Sequence, residues 1–319
     1  MKSEQRLSRD LVPSLADAMV HFLSVDDFTK EQMNSLFELA DDLKSGKATT
    51  SLKHGASLAL LFEKASTRTR VSFEVAMAQL GGSSIYIDTR TSQMSRGESL
   101  SDTAKVLSSY VDFIAARLYK HNDLIEIANN SSVPVINALT DLEHPCQALS
   151  DLYTVRSIKK KIKNTRIAFV GDIAANTANS LMLSGAKLGA EMVLIGPKGY
   201  LPNPKYLTKA REYSGVEVST SLEDGLADVD VIYTDTFVSM GQEADAEKRK
   251  KMFLPYQVNQ KALDYAKDDA VVMHCLPAHR GEEISAEVLD GPRSIVWEQA
   301  KNKMLLEKAI ILRLSEESS

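Results

Sequence analysis

Ser66-Thr67-Arg68-Thr69-Arg70 puts three hydroxyls and two guanidinium groups into five consecutive positions, just after the apolar run SLALLF (57–62). If the chain turns there from strand into helix, the first N–H groups of that helix are unpaired. They carry a partial positive charge that attracts an anion by roughly 0.3–1 kcal/mol. Ser66, Thr67 and Thr69 would add hydroxyl donors, and Arg68 a planar fork that grips a phosphate or carboxylate at two points. The same residues would equally make a Ser N-cap followed by two surface arginines. The chain has no GxxxxGK[ST] loop, the other usual phosphate cradle.

A second candidate is LEHPCQALSD (142–151), where His144 and Gln147 share one face of a first helical turn. A neutral imidazole and an amide suit hydrogen bonding to an uncharged carbonyl-amide group. The third is VVMHCLPAHRGEE (271–283), directly after an apolar strand, where ligands of parallel α/β sheets collect. A buried Cys followed by a helix-breaking Pro would be its structural explanation. His144, Cys146, His274 and Cys275 are a legitimate zinc set by type. Their spacing is poor, because adjacent residues on a strand point to opposite faces. FVGDIAANTANS (169–180) sits where a dinucleotide fingerprint would, yet holds only Gly171 of the three glycines needed. What it does offer is an Asn at a helix start, able to hold a zwitterion.

The elements that must position these residues alternate. Helices are expected over 29–45, 67–80, 99–110, 121–129 and 146–161. Strands are expected over 57–62, 84–88, 111–116 and 133–137, then at 166–172, 191–197, 216–220, 229–235 and 270–275, with a last helix over 299–314. This βαβα rhythm implies parallel sheets flanked by helices. A chain of 319 residues suits two domains of about 150 each. The fold class is therefore α/β, two domains joined by long interdomain helices. Residues 1–148 and 149–298 form the two domains, and 299–319 packs back on the first. With 44% apolar and 25% charged residues, the composition is that of a globular protein, and a net charge of −5 argues against a nucleic-acid surface. The basic run KKKIKNTR (159–166) reads as a solvated helix end. The polar start MKSEQRLSRD cannot be a signal-peptide core, and no apolar run approaches the ~18 residues of a membrane span. Two cysteines give no disulfide framework. A cytoplasmic location is expected.

STRTRVSFE, HPCQALSD, DTFVSMG (235–241) and HCLPAHRGEE together resemble the transcarbamylase family, in order along the chain from about Leu23 to Leu314. STRTR and HPxQ would fit the aspartate branch as well; the SMG loop and HCLP point to the ornithine branch. The resemblance implies transfer of a carbamoyl group from carbamoyl phosphate to the side-chain amine of ornithine, giving citrulline and phosphate. Another amine, such as putrescine or aspartate, is the alternative acceptor. It implies that Ser66, Thr67, Arg68 and Thr69 hold the phosphate, beside Arg117, His144, Gln147, Cys275 and Leu276. Asn176, Asp235, Ser239 and Met240 would hold ornithine. The catalytic group is then Arg117, His144, Cys275 and Asp235, with Cys275 orienting the amine or relaying its proton. A homotrimer is implied, with Gln93 reaching a neighbouring subunit's site, and neither cofactor nor metal. One position departs. Where the family has an Arg in a motif of the type EAENR, this chain reads WEQAKNKM, which puts Lys303 there and keeps the charge but not the fork.

Overall fold

The computed structural model describes residues 21–47, 51–238 and 243–317. The first half contains α1 (Lys30–Ser45), β1 (Ser57–Phe62), α2 (Thr67–Gln79), β2 (Ser83–Asp88), α3 (Leu100–Ser108), β3 (Phe113–Arg117), α4 (His121–Asn130) and β4 (Val135–Leu139). Helix α5 (Pro145–Lys159) leads into β5 (Arg166–Val170), α6 (Asn176–Lys187), β6 (Glu191–Ile195), α7 (Pro204–Arg211), β7 (Val216–Ser219), α8 (Leu222–Leu226) and β8 (Val231–Thr234). The chain closes with α9 (Ala246–Phe253), α10 (Gln260–Tyr265), β9 (Val271–His274), α11 (Ala286–Leu289) and α12 (Val296–Glu317). The elements read from the sequence are present, with ends shifted by a few residues. The last helix starts three residues earlier than its periodicity predicts, at Val296.

The strands form two wholly parallel sheets, ordered β2-β1-β3-β4 and β7-β6-β5-β8-β9. Strands such as β1, β4 and β8 are buried along nearly their whole length, as a sheet covered on both faces requires. Their runs of Leu, Ile, Val and Ala supply the apolar area that drives the packing, roughly 25 cal/mol per Å². In each sheet the strand order reverses once, between β1 and β3 and between β5 and β8. Such a switch point opens a crevice at the carboxyl ends of the strands. Helix α5 is buried over eleven consecutive residues, Pro145–Val155, and α12 packs on α1, α2 and α5. These two helices hold the crevices of the two sheets against one another.

Candidate active site

One cavity of about 530 Å³ occupies both crevices. From the first sheet it is lined by the β1–α2 turn, Lys64 to Thr69, by Arg117 at the end of β3, by Leu139 at the end of β4 and by Asp141 beyond it. His144 and Gln147 come from the start of α5. The second sheet contributes Ala174 to Thr177 after β5, Asp235, Thr236 and Val238 after β8, and Cys275, Leu276, Pro277 and His279 after β9. Lys303 reaches in from α12. Twelve residues singled out from the sequence thus line one space: Ser66, Thr67, Arg68, Thr69, Arg117, His144, Gln147, Asn176, Asp235, Cys275, Leu276 and Lys303. Gln93 does not. It lines a separate cavity of about 390 Å³ with Met94, Leu107 and Tyr110. Ser239 and Met240 lie outside the described residues.

Ser66 is the N-cap of α2 and accepts from the Thr69 N–H at 3.4 Å, so the other early N–H groups of the helix face the cavity unpaired. Arg68 stands exposed beside them. Lys303 Nζ donates to Thr69 Oγ1 at 3.2 Å from the buried side. Arg117 is partly buried and its Nε has no partner; burial, with the charge of Arg68 adding to it, lowers its pKa to about 10. That still leaves a full charge at neutral pH.

His144 caps the start of α5 and is held by its backbone N–H donating to Ser180 Oγ at 2.9 Å. Burial first, and then the charges of Lys303 and Arg117, hold its ring well below the usual histidine range. The imidazole is neutral, and its Nδ1 is buried without a partner. Gln147 spends its amide N–H on Asp151 Oδ1 at 2.9 Å, which leaves its carbonyl oxygen to the cavity side. Asp151 also accepts from Tyr233 OH and Gln299 Nε2, both at 2.8 Å, and burial pushes it up to about 7.

On the opposite wall, Asn176 donates to the Thr140 carbonyl at 2.6 Å and accepts from the Thr177 N–H at 2.7 Å. Cys275 lies against Asp235, and burial together with that carboxylate drives its thiol well above the ordinary range. The sulfur therefore stays protonated: it can orient a neighbour, but it is no base. Leu276 adopts φ +61, a left-handed backbone that costs a branched side chain on the order of 1–3 kcal/mol. Its N–H donates to His274 Nδ1 at 2.9 Å, while His274 Nε2 meets Glu283 Oε1 at 3.0 Å. Asp235, His274 and Cys275 place ligand-type atoms within 4.8 Å of one another. Both nitrogens of His274 are already committed, so the imidazole has no lone pair for a metal there. Cys146 points its Sγ at the Asn137 carbonyl instead.

Similarity to known proteins runs through the whole chain. Residues 20–157 match the family model described as the aspartate/ornithine carbamoyltransferase carbamoyl-P binding domain, and residues 163–314 match the Asp/Orn binding domain. The chain belongs to the aspartate/ornithine carbamoyltransferase family. Within that family it is 47% identical to an ornithine carbamoyltransferase of Pyrococcus abyssi over 302 residues, 92% of this chain and 94% of the relative. It is 46% identical to one of Bacillus subtilis over 294 residues, 91% and 92% of the two chains. The solved ornithine carbamoyltransferase of Pyrococcus furiosus superposes with a TM-score of 0.87 at 46% identity, over 92% of this chain and 96% of that one. For carbamoyltransferase chemistry, Lys64, Asp141, Thr236 and His279 are further lining residues that sequence reasoning missed. Thr236 and His279 lie inside DTFVSMG and HCLPAHRGEE, while Lys64 and Asp141 stand beside STRTR and LEHPCQALSD, so position in or next to a motif already read was the available signal.

Proposed function

We propose that this chain transfers the carbamoyl group of carbamoyl phosphate to the side-chain amine of ornithine, releasing citrulline and phosphate. The observation that carries the reading is the single cavity joining Ser66–Thr69, Arg117, His144 and Gln147 to Asn176, Asp235 and Cys275. The phosphate sits at the start of α2, held by Ser66, Thr67, Arg68 and Thr69, with Lys303 behind Thr69. The carbonyl oxygen takes donors from Arg117, Thr69 and the neutral His144, where charge develops in the tetrahedral species. One such donor is commonly worth ~10²–10³ in rate. The carbamoyl NH₂ donates to the Gln147 carbonyl, which the Asp151 contact turns toward it, and to the strained turn at Leu276. Phosphate leaves readily because its second pKa is near 6.

Ornithine enters from the second sheet. Asn176 and the segment Ser239-Met240 take its amino-acid end, and Asp235 with Cys275 orients the amine. An alkyl ammonium has a pKa of about 10.4, so deprotonation at pH 7 costs on the order of 4–5 kcal/mol. Arg68, Arg117 and Lys303 lower that cost by like-charge repulsion in a desiccated cleft. The neutral thiol of Cys275 donates to Asp235 and leaves the carboxylate as the acceptor facing the amine.

The enzyme works as a homotrimer, with Gln93 completing a neighbour's site. Support comes from the exposed apolar side chains around edge strand β2, Val71, Ile85, Val106 and Tyr110, next to the cavity that holds Gln93. A cytoplasmic location fits the two free thiols, Cys146 and Cys275. Among the described residues no helix is long and apolar enough to cross a membrane. The test is a product assay with purified protein and carbamoyl phosphate, offering ornithine, putrescine and aspartate in parallel. Citrulline formation at least about a hundredfold faster than either other product is expected; equal rates with putrescine would overturn the acceptor.

A further inference from the structure

Glu307 is fully buried on α12, one helical turn beyond Lys303, and neither carboxylate oxygen meets a hydrogen-bond partner. A buried carboxylate without a hydrogen-bonding partner is rare and needs an explanation. Nothing in the active-site reading uses it. Lys303 has the opposite problem. Its ammonium is buried, makes one hydrogen bond, to Thr69 Oγ1, and shares its surroundings with the guanidinium of Arg117. An arginine at this position would stay charged regardless, whereas a buried lysine sheds its proton readily.

We propose that Glu307 is the positioning residue for Lys303: a counter-charge, absent from the cavity itself, that keeps the ammonium protonated and so lets a lysine serve the phosphate site. This rests on the reading that Lys303 acts on carbamoyl phosphate. The groups facing the pair can be named element by element. From α2 come Thr69 and Ser72; the Ser72 hydroxyl lies near Glu307 but donates to the Thr69 carbonyl at 3.2 Å. From β3 comes Arg117, and from α5 come His144, Cys146 and Asp151. Cys275 follows β9. Arg117 opposes the charge of Lys303, and Glu307 is the foremost group supporting it. Burial pushes the Glu307 carboxyl up to about 7, with Lys303 pulling the other way, while burial lowers Lys303. Above about pH 7 the carboxylate is charged and opposes the proton loss that burial favours at Lys303.

The experiment is the KM for carbamoyl phosphate from pH 7 to 9 in wild type, Glu307→Gln, Glu307→Asp, Lys303→Met, and Lys303→Arg/Glu307→Gln. Thermal melts establish folding, and Glu307→Met stands in if Gln does not fold. Above the pKa of Lys303 the charged fraction falls about tenfold per pH unit. KM in Glu307→Gln is therefore expected to climb about tenfold more than in wild type over this interval. Glu307→Asp follows wild type, and the arginine double variant removes the excess climb because a guanidinium does not titrate there. Asp151 is common to all variants and cancels in the comparison. Parallel profiles for wild type and Glu307→Gln, with Lys303→Met impaired, overturn the role of Glu307 alone. An unchanged KM in Lys303→Met overturns that role together with the phosphate role of Lys303.

Discussion

A buried histidine beside two cations has one comfortable protonation state. His144 is desolvated, and Lys303 and Arg117 both repel a proton from it, so its ring is held well below 6.5. It therefore works as a neutral hydrogen-bonding group, and its own titration cannot shape activity between pH 6 and 8. The nucleophile can. Each pH unit below the pKa of the bound amine cuts the reactive fraction tenfold, so turnover with both substrates saturating rises from pH 6 to 8. His144→Gln is expected to lower turnover by ~10²–10³ while keeping the slope of that limb. Steady-state rates of the two proteins across the interval check this. A limb that vanished with the histidine would make His144 the titrating group.

At the scale of elements, the two sheets are tied by contacts that no motif announces. Lys187 on α6 is almost wholly buried. It donates to the carbonyls of Asp26 and Phe28, both at 3.1 Å, and meets the Asp26 carboxylate at 2.7 Å. Lys209 on α7 reaches the other oxygen of Asp26. Burial alone would raise the Asp26 carboxyl, but the two lysines outweigh it and hold the group below 3.8. A folded pKa below the unfolded one stabilises above that value and is lost as pH falls through the folded pKa. Lys187→Met should therefore destabilise by about 2–3 kcal/mol at pH 7, lowering the thermal midpoint by several degrees. The gap to wild type should narrow below pH 3.8; calorimetric melts at pH 7 and pH 3 measure both. This tie also shows what a sequence can reveal. SLALLF declares a buried strand by composition, and Ser66 declares a cap by type and place, because both are local facts. Asp26, Lys187 and Lys209 are far apart in the chain, as are Asp151, Tyr233 and Gln299. Their pairing is decided by how α5, α6 and α12 pack, which no local pattern encodes.

For the whole molecule, the proposed homotrimer turns on where Gln93 lies. The cavity of one chain holds the phosphate-binding turn and the amine-facing wall, yet Gln93 lies on the outer side of the first sheet, in its own cavity among Met94, Leu107 and Tyr110. Edge strand β2 beside it is half exposed and carries Ile85 outward, a surface that invites a neighbour. If three chains close a ring head to tail, each Gln93 faces the next chain's Arg68. Two crippled chains should then rescue one another. Arg68→Ala spoils its own cavity but donates a sound Gln93, whereas Gln93→Ala keeps a sound cavity but spoils its neighbour's. Each pure variant should be nearly inactive. Unfolded together and refolded at equal ratio, random mixing gives about a quarter of all sites an intact Arg68 and an intact neighbouring Gln93. Citrulline formation should return to roughly that fraction of wild type. A mixture no more active than the average of its parents would mean that every site is complete within one chain.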